Sequence, residues 1–194
     1  MLEIFGIEKP RTGHAPHLRL FPDWLGERRA MLRLAEYPHP GASWRSGAGS
    51  TIVMVENAET FGVLHEILDE FRPSGVRELI FSSGNALARP IDDNFERIVY
   101  FGDWDADGLA ILLRLRELDV RVVAWVAAYR RLIQFKEVVG FSPRARTLQE
   151  EGLLRIFPPD LLPAARDLCT RPRLIPQEWL GLEEMRFLIP SLAT

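Results

Sequence analysis

Asp103, Asp105 and Asp107 put three carboxylates into five residues, within Asp103-Trp104-Asp105-Ala106-Asp107-Gly108. Like charges at that spacing repel, and a hard divalent cation neutralises such a cluster most readily. A further acid, Glu56, closes the apolar run Thr51-Ile52-Val53-Met54-Val55. Carboxylate oxygens of this kind suit Mg2+ or Mn2+. A cation so held polarises a phosphoryl group and supplies hydroxide near neutral pH. The pattern suggests a magnesium-type centre and phosphoester chemistry. Two other readings compete. Capping the helix that follows needs one Asp, not three Asp and a distant Glu. An EF-hand calcium loop fits Asp103-x-Asp105-x-Asp107-Gly108, but its twelfth position, where a Glu is required, is Arg114, and a strand pattern stands where a helix should precede.

The acids act together only if the surrounding elements deliver them to one place. Arg97-Ile98-Val99-Tyr100-Phe101 reads as a strand, and Leu109 to Leu118 as an amphipathic helix. Thr51–Val55 is likewise of strand length. A helical pattern comes after it from Glu59 to Phe71, with Phe61, Leu64, Leu68 and Phe71 on one face. Glu78–Phe81 is a further strand, stopped by Ser82-Ser83-Gly84-Asn85, and Arg121–Val126 is a fourth. Continuous apolar strands separated by helices predict an α/β fold with a parallel sheet of about four strands. Binding sites of such sheets gather at the carboxyl ends of strands, which predicts that Glu56, Asp103 and Asp105 converge. Gly108 gives the backbone freedom where the loop enters its helix.

The flanks are less regular. Residues 1–48 hold prolines at 10, 16, 22, 38 and 40 and one helical pattern from Asp23 to Glu36, with Asp23 as its cap. They read as an N-terminal extension or the remnant of a preceding domain, and Gly41–Gly49 reads as a linker. Residues 50–128 read as the α/β core that would carry any catalysis, and 129–194 as a C-terminal extension packed on it, with short helices near Pro159–Leu168 and Leu180–Leu188. The net charge of −3 confines any nucleic-acid footprint to a local patch. Arg130, Arg131, Lys136, Arg144 and Arg146 supply one, with Arg171 and Arg173 beyond, and affinity through such residues falls as salt rises. Ser83-Gly84-Asn85 either offers backbone groups and an amide to a phosphate, through Gly84 and Asn85, or is a plain turn. Glu178 is a more distant acidic candidate, or a surface carboxylate. Trp104, between two acids, is expected to point into the domain, and Trp125 to lie in the core. His14 and His17 sit among prolines and read as loop residues. The single cysteine, Cys169, excludes an intramolecular disulfide and a cysteine zinc cluster. With no secretory signal and no apolar stretch of about 18 residues, a soluble cytoplasmic protein is expected.

With these residues in place, the chain resembles the Toprim domain shared by topoisomerases, primases, OLD-type nucleases and topoisomerase VI A subunits. The signature is a Glu after one strand (Glu56) and Asp-x-Asp after a later one (Asp103-x-Asp105). Within that group it is most similar to the C-terminal domain of the JetD-like nuclease subunit of Wadjet anti-plasmid systems. The matching stretches are Val55-Glu56-Asn57 with Thr60-Phe61, Ser83-Gly84-Asn85, and Tyr100 to Asp105 continuing through Gly108 to Ala110-Ile111-Leu112. Arg173-Leu174-Ile175-Pro176-Gln177-Glu178 matches a tail segment. The likeness is close over residues 50–128 and loose over 129–190.

The resemblance implies an endonuclease domain that uses Mg2+ or Mn2+ on double-stranded DNA, works with an SMC-like motor complex, and can pair as a homodimer, with no membrane partner. Asp103 and Asp105 would hold the cation. Glu56 would complete the coordination or take a proton from the attacking water. Asp107 stands where relatives carry His or Pro, and adds either a ligand or only charge. Two alternatives remain: topoisomerase VI A-like or primase-type activity, or a catalytically silent DNA-binding or regulatory Toprim domain. The nucleophilic-tyrosine domain and the cysteine zinc set of the first have no counterpart here. The N-terminal DNA-binding regions of a full JetD-like subunit are largely missing too, so the chain reads as an isolated catalytic domain or a compact member.

Overall fold

The structure is a computed structural model that describes residues 42–46, 49–82, 94–135, 148, 150–171 and 173–192. Its elements in chain order are β1 (Ser43–Arg45), β2 (Thr51–Val55), α1 (Ala58–Phe71), β3 (Val76–Phe81), β4 (Arg97–Phe101), α2 (Ala106–Leu118), β5 (Val122–Ala124), α3 (Val126–Leu132), α4 (Glu150–Ile156), α5 (Leu162–Thr170) and α6 (Leu182–Leu188). Single 3-10 turns cover Gln177–Trp179 and Ile189–Leu192.

The strands form one five-stranded sheet in the order β1-β3-β2-β4-β5. β3, β2, β4 and β5 are mutually parallel, as the apolar runs predict, and β1 adds an antiparallel edge. β2 is buried at all five positions and β4 at four of five, which is the pattern of strands covered on both faces. α1 packs on β2 and β3, α2 on β5, α6 on α1 and α3, and α4 on α2 and α5. The order contains a switch point. From β2 the chain crosses to β3 on one side, then returns to place β4 on the other. The switch point lies at the carboxyl ends of β2 and β4, the place where open α/β sheets bind ligands in a crevice.

Several elements differ from the sequence expectations. The stretch read as a linker, Gly41–Gly49, contains β1. Trp44 is buried there against the sheet, and exposed Arg45 donates to Glu78 Oε1 at 2.9 Å. A three-residue edge strand has too few alternations to register as a pattern, and short charged edges are how sheets avoid open-ended pairing. Phe71 does not join the buried face of α1. That face is Thr60, Phe61, Leu64, Ile67 and Leu68, and Phe71 is 57% exposed at the helix end. The fourth strand is shorter than expected, because Trp125 leaves the sheet to begin α3. It is still buried, and its indole donates to Ser191 Oγ at 2.8 Å. α5 and α6 match the expected C-terminal helices, whereas α3 and α4 have no counterpart among the expected elements. Among the described residues no helix is long and apolar enough to cross a membrane. The expected helix at Asp23–Glu36, with His14 and His17, lies outside the described residues.

Candidate functional site

Parallel register brings the two acidic segments together. Val55 and Phe101 are partners at the carboxyl ends of β2 and β4. Glu56 is the next residue on one side, and Gly102-Asp103 come next on the other. Each segment then runs into a helix through a side-chain cap. Asn57 Oδ1 accepts from the N–H groups of Glu59 and Thr60 to start α1. Asp105 Oδ1 accepts from Gly108 N–H at 2.7 Å to start α2. The N-termini of both helices, with their partial positive charge, thus flank the acids. Asp107 lies in the first turn of α2. Asp103 and Asp107 are partly covered and Asp105 is buried.

Gly102 is required by this arrangement. A Cβ there would sit 2.5 Å from Glu56 Oε2 and 2.6 Å from the Tyr100 hydroxyl. The Glu56 carboxylate lies directly over the glycine backbone. Gly102 N–H donates to the Tyr129 hydroxyl at 3.0 Å, which fixes the turn from beneath. Tyr129 is itself walled in by Phe101, Trp104 and Phe157. Trp104 therefore points into the domain, as expected.

Burial and crowding shift the acids in one direction. Glu56 rises from an ordinary 4.5 to about 7, first because burial penalises its charge and then because Asp103 and Asp105 lie nearby. The Tyr100 hydroxyl beside it opposes the shift, although the phenol forms no well-aligned hydrogen bond. Asp103 and Asp105 are also raised, in each case chiefly by burial. Perturbed acids gathered in a strand-end crevice mark a candidate functional site.

A C-terminal segment closes over both acidic segments. Trp104 and Ile175 form an isolated antiparallel bridge, with N–H to O distances of 3.0 and 3.2 Å. Gln177 N–H donates to Asp103 Oδ1 at 2.9 Å. The Gln177 side chain is fully buried, and its partners orient it: Nε2 donates to Phe101 O at 3.2 Å, and Oε1 accepts from Asn57 N–H at 3.1 Å. The reverse orientation would set donor against donor and acceptor against acceptor. Glu178 Oε2 accepts from Asn57 Nδ2 at 3.2 Å. Burial raises its pKa as well, with Asp103 and Glu59 adding to the shift.

The structure thus brings Glu56, Asp103, Asp105, Asp107, Gly108 and the remote Glu178 to one sheet edge. Arg130 and Arg131 lie on α3 and are engaged with acids. Arg130 pairs with Asp160 at 2.7 Å, and Arg131 with Glu184 at 3.7 Å. Gly84, Asn85, Lys136, Arg144 and Arg146 lie outside the described residues. Asn57, Tyr100 and Gln177 lie in stretches that carry the family likeness, but nothing local in the sequence assigns them, or Tyr129, a role in the site. The two tyrosines sit within apolar runs, and Gln177 and Asn57 reveal their roles only through tertiary contacts.

Among the described residues no group of three His, Cys, Asp or Glu side chains is arranged to enclose a cation unaided. The donor set nonetheless fits a partial site. Glu56 Oε1 is buried without a hydrogen-bond partner, a condition that a native structure rarely leaves unanswered. Mg2+ is commonly held by one or two carboxylates, with waters and substrate phosphates completing its shell.

A family model described as Wadjet protein JetD, C-terminal, matches residues 23–155. That span is more than half of the chain and holds Glu56, Asp103, Asp105 and Asp107. No curated protein matches the chain.

Proposed function

The chain belongs to the Wadjet protein JetD C-terminal family, and from that premise we propose that it is a Mg2+- or Mn2+-dependent DNA endonuclease domain of an anti-plasmid defence subunit. The observation that carries this reading is the convergence of Glu56 with Asp103 and Asp105 at the switch point between β2 and β4. Fold membership alone would not suffice, because function resides in the site.

Asp103 and Asp105 hold the cation in this reading, each with one oxygen already fixed by a backbone N–H. Such second contacts orient ligands and keep them in place. When bound, the cation supplies Lewis-acid polarisation of the scissile phosphate. Without a cation the Glu56 carboxyl is raised to about 7; a cation held beside it would bring the value down and leave the carboxylate free to act as a general base. It takes a proton from the attacking water. Its position over Gly102, against a buried tyrosine, restricts where it can point. Asp107 adds negative charge in the first turn of α2. Duplex DNA is the substrate, reached through Arg130 and Arg131 and the basic positions Lys136, Arg144 and Arg146. The ion pairs of Arg130 and Arg131 are exposed and weak enough for phosphate to displace them. An SMC-like motor complex is the partner in this reading, and a second copy of the chain completes a homodimer.

The test is a supercoiled plasmid incubated with the protein and Mg2+ or Mn2+, with and without chelator. Nicked or linear product that chelator, Glu56→Gln or Asp103→Asn abolishes supports the reading. Relaxed, covalently closed product would instead mark a topoisomerase. If chelator or either substitution leaves cleavage unchanged, the proposed site is wrong.

A further inference from the structure

The sheet sets the distance between the two acidic segments only as far as Val55 and Phe101. Beyond that pair the β2–β4 ladder ends. Glu56 leaves toward α1, and Gly102-Asp103 toward α2. Nothing in the strand pairing then fixes one acid against the other. A brace from outside the sheet is required, and the segment that supplies it lies outside the residues matched by the family model, which end at 155.

We propose that Gln177 is a positioning residue of this site: it ties the Glu56–Asn57 segment to the Phe101–Asp103 segment and so sets the separation of the acids they carry. This inference rests on the metal-dependent reading above for its functional consequence, although the brace itself does not.

Three bonds carry the inference, the two side-chain ones in the amide orientation assigned from its partners. The backbone N–H of Gln177 donates to the Asp103 carboxylate at 2.9 Å. Its side-chain Nε2 donates to the carbonyl of Phe101, the last residue of β4, at 3.2 Å, and its Oε1 accepts from the N–H of Asn57, the residue after Glu56, at 3.1 Å. One residue therefore bonds both segments at positions adjoining the acids. Its amide is fully buried. Burying an amide is unfavourable unless every polar group finds a partner. An apolar side chain of similar volume would fill the same space at less cost, so filling alone does not explain the choice of residue. The approach of the segment is itself constrained. The Trp104–Ile175 bridge anchors it two residues earlier, and Glu178 binds Asn57 Nδ2 one residue later. Residues 175–178 thus cross both acidic segments as a strap, with Gln177 at the point where they meet.

The experiment compares the wild-type chain with Gln177→Met, which keeps length and volume and removes both side-chain bonds, and Gln177→Asn, which keeps the amide one methylene short. Mn2+ affinity is read by calorimetry, fold by thermal unfolding, and the protection of the Asn57 N–H by amide hydrogen exchange. A core substitution far from the site, Leu115→Ala in the last turn of α2, controls for general loss of stability. The expected result for Gln177→Met is a loss of about 10- to 100-fold in Mn2+ affinity, faster exchange at Asn57, and a cooperative unfolding transition. Gln177→Asn is expected to fall between it and wild type, and decides the matter if the Met variant does not fold. Leu115→Ala should lower the melting temperature and keep Mn2+ affinity. Wild-type affinity in both Gln177 variants would overturn the proposal, as would equal loss in Leu115→Ala. If the wild type binds no Mn2+, the metal-dependent reading fails. The brace is then judged by exchange alone: faster exchange at Asn57 supports it, and unchanged exchange overturns it.

Discussion

Val55 and Phe101 are register partners on the adjacent parallel strands β2 and β4. That pairing also places the residues after them, because parallel strands release their next residues at the same edge. Glu56 and Asp103 therefore share one partly buried crevice although they lie far apart in the chain. Buried like charges raise each other's pKa, and the site is least comfortable when all of its acids are ionised and no cation is present. That conflict has two measurable consequences.

Glu56 holds its proton more tightly in the folded chain, at about 7, than at its ordinary 4.5. Between those values the folded state carries more bound protons than the unfolded state, so stability falls as pH rises. The contribution is complete below the lower value and lost above the upper one. Without divalent cations, Glu56→Gln should stabilise the protein relative to wild type at pH 8 by up to about 3 kcal/mol, and by far less at pH 5. Thermal or urea unfolding of both proteins at the two pH values checks this. A difference that does not change with pH would contradict the assigned burial of the carboxyl.

In the proposed site a cation held by Asp103 and Asp105 would lie beside Glu56 and favour loss of the same proton. Mn2+ affinity should therefore climb between pH 6 and 8, by up to about tenfold per unit while one proton is displaced. Calorimetry in buffers of different ionisation enthalpy counts that proton directly. Glu56→Gln should bind more weakly and with a flatter pH profile. Equal pH dependence in wild type and variant would show that the cation does not lie beside Glu56.

The legible part of this protein is what local pattern encodes. Thr51–Val55 and Arg97–Phe101 are continuous apolar runs because both faces of β2 and β4 are covered, and their ends point to the acids. β1 leaves no such pattern because only Trp44 of its three residues faces inward. Phe71 fits a helical stripe by spacing yet lies in the last turn, beyond the surface that α1 covers. The strap is the hardest feature to read. Glu178 stands out as an acid, but nothing near Gln177 in the chain shows that it spans 74 positions to meet Asp103. Contacts between segments so far apart leave no periodic trace.

Asp105 has two roles that substitution can separate. Its Oδ1 caps α2 through Gly108 N–H at 2.7 Å, and its charge contributes to the acidic crevice. Asn caps as well as Asp does, whereas Ala does not. Asp105→Asn should therefore keep the melting temperature at or above that of wild type, since it also removes a buried charge, while Mn2+ affinity and nicking fall. Asp105→Ala should lose both, with about 1 kcal/mol of stability gone with the cap. Equal nicking by wild type and Asp105→Asn would leave Asp105 as a cap alone.

Gly102→Ala probes the space that Glu56 occupies. The added Cβ would lie 2.5 Å from Glu56 Oε2, 3.0 Å from its Cδ and 2.6 Å from the Tyr100 hydroxyl. Tyr100 is fully buried and has little room to yield, so the Glu56 carboxylate must swing away. Overpacking of this sort costs about 1–3 kcal/mol, which a domain of this size can absorb. The loss of function should be larger in proportion, because displacing a reacting group by about 1 Å can cost 100-fold. Gly181→Ala is the control, since its Cβ would meet nothing closer than Glu184 Oε2 at 3.6 Å, and it should keep nicking near the wild-type rate. Plasmid nicking and thermal unfolding of the two variants make the comparison. If Gly102→Ala cleaves as fast as Gly181→Ala, the carboxylate of Glu56 does not act from the position over Gly102.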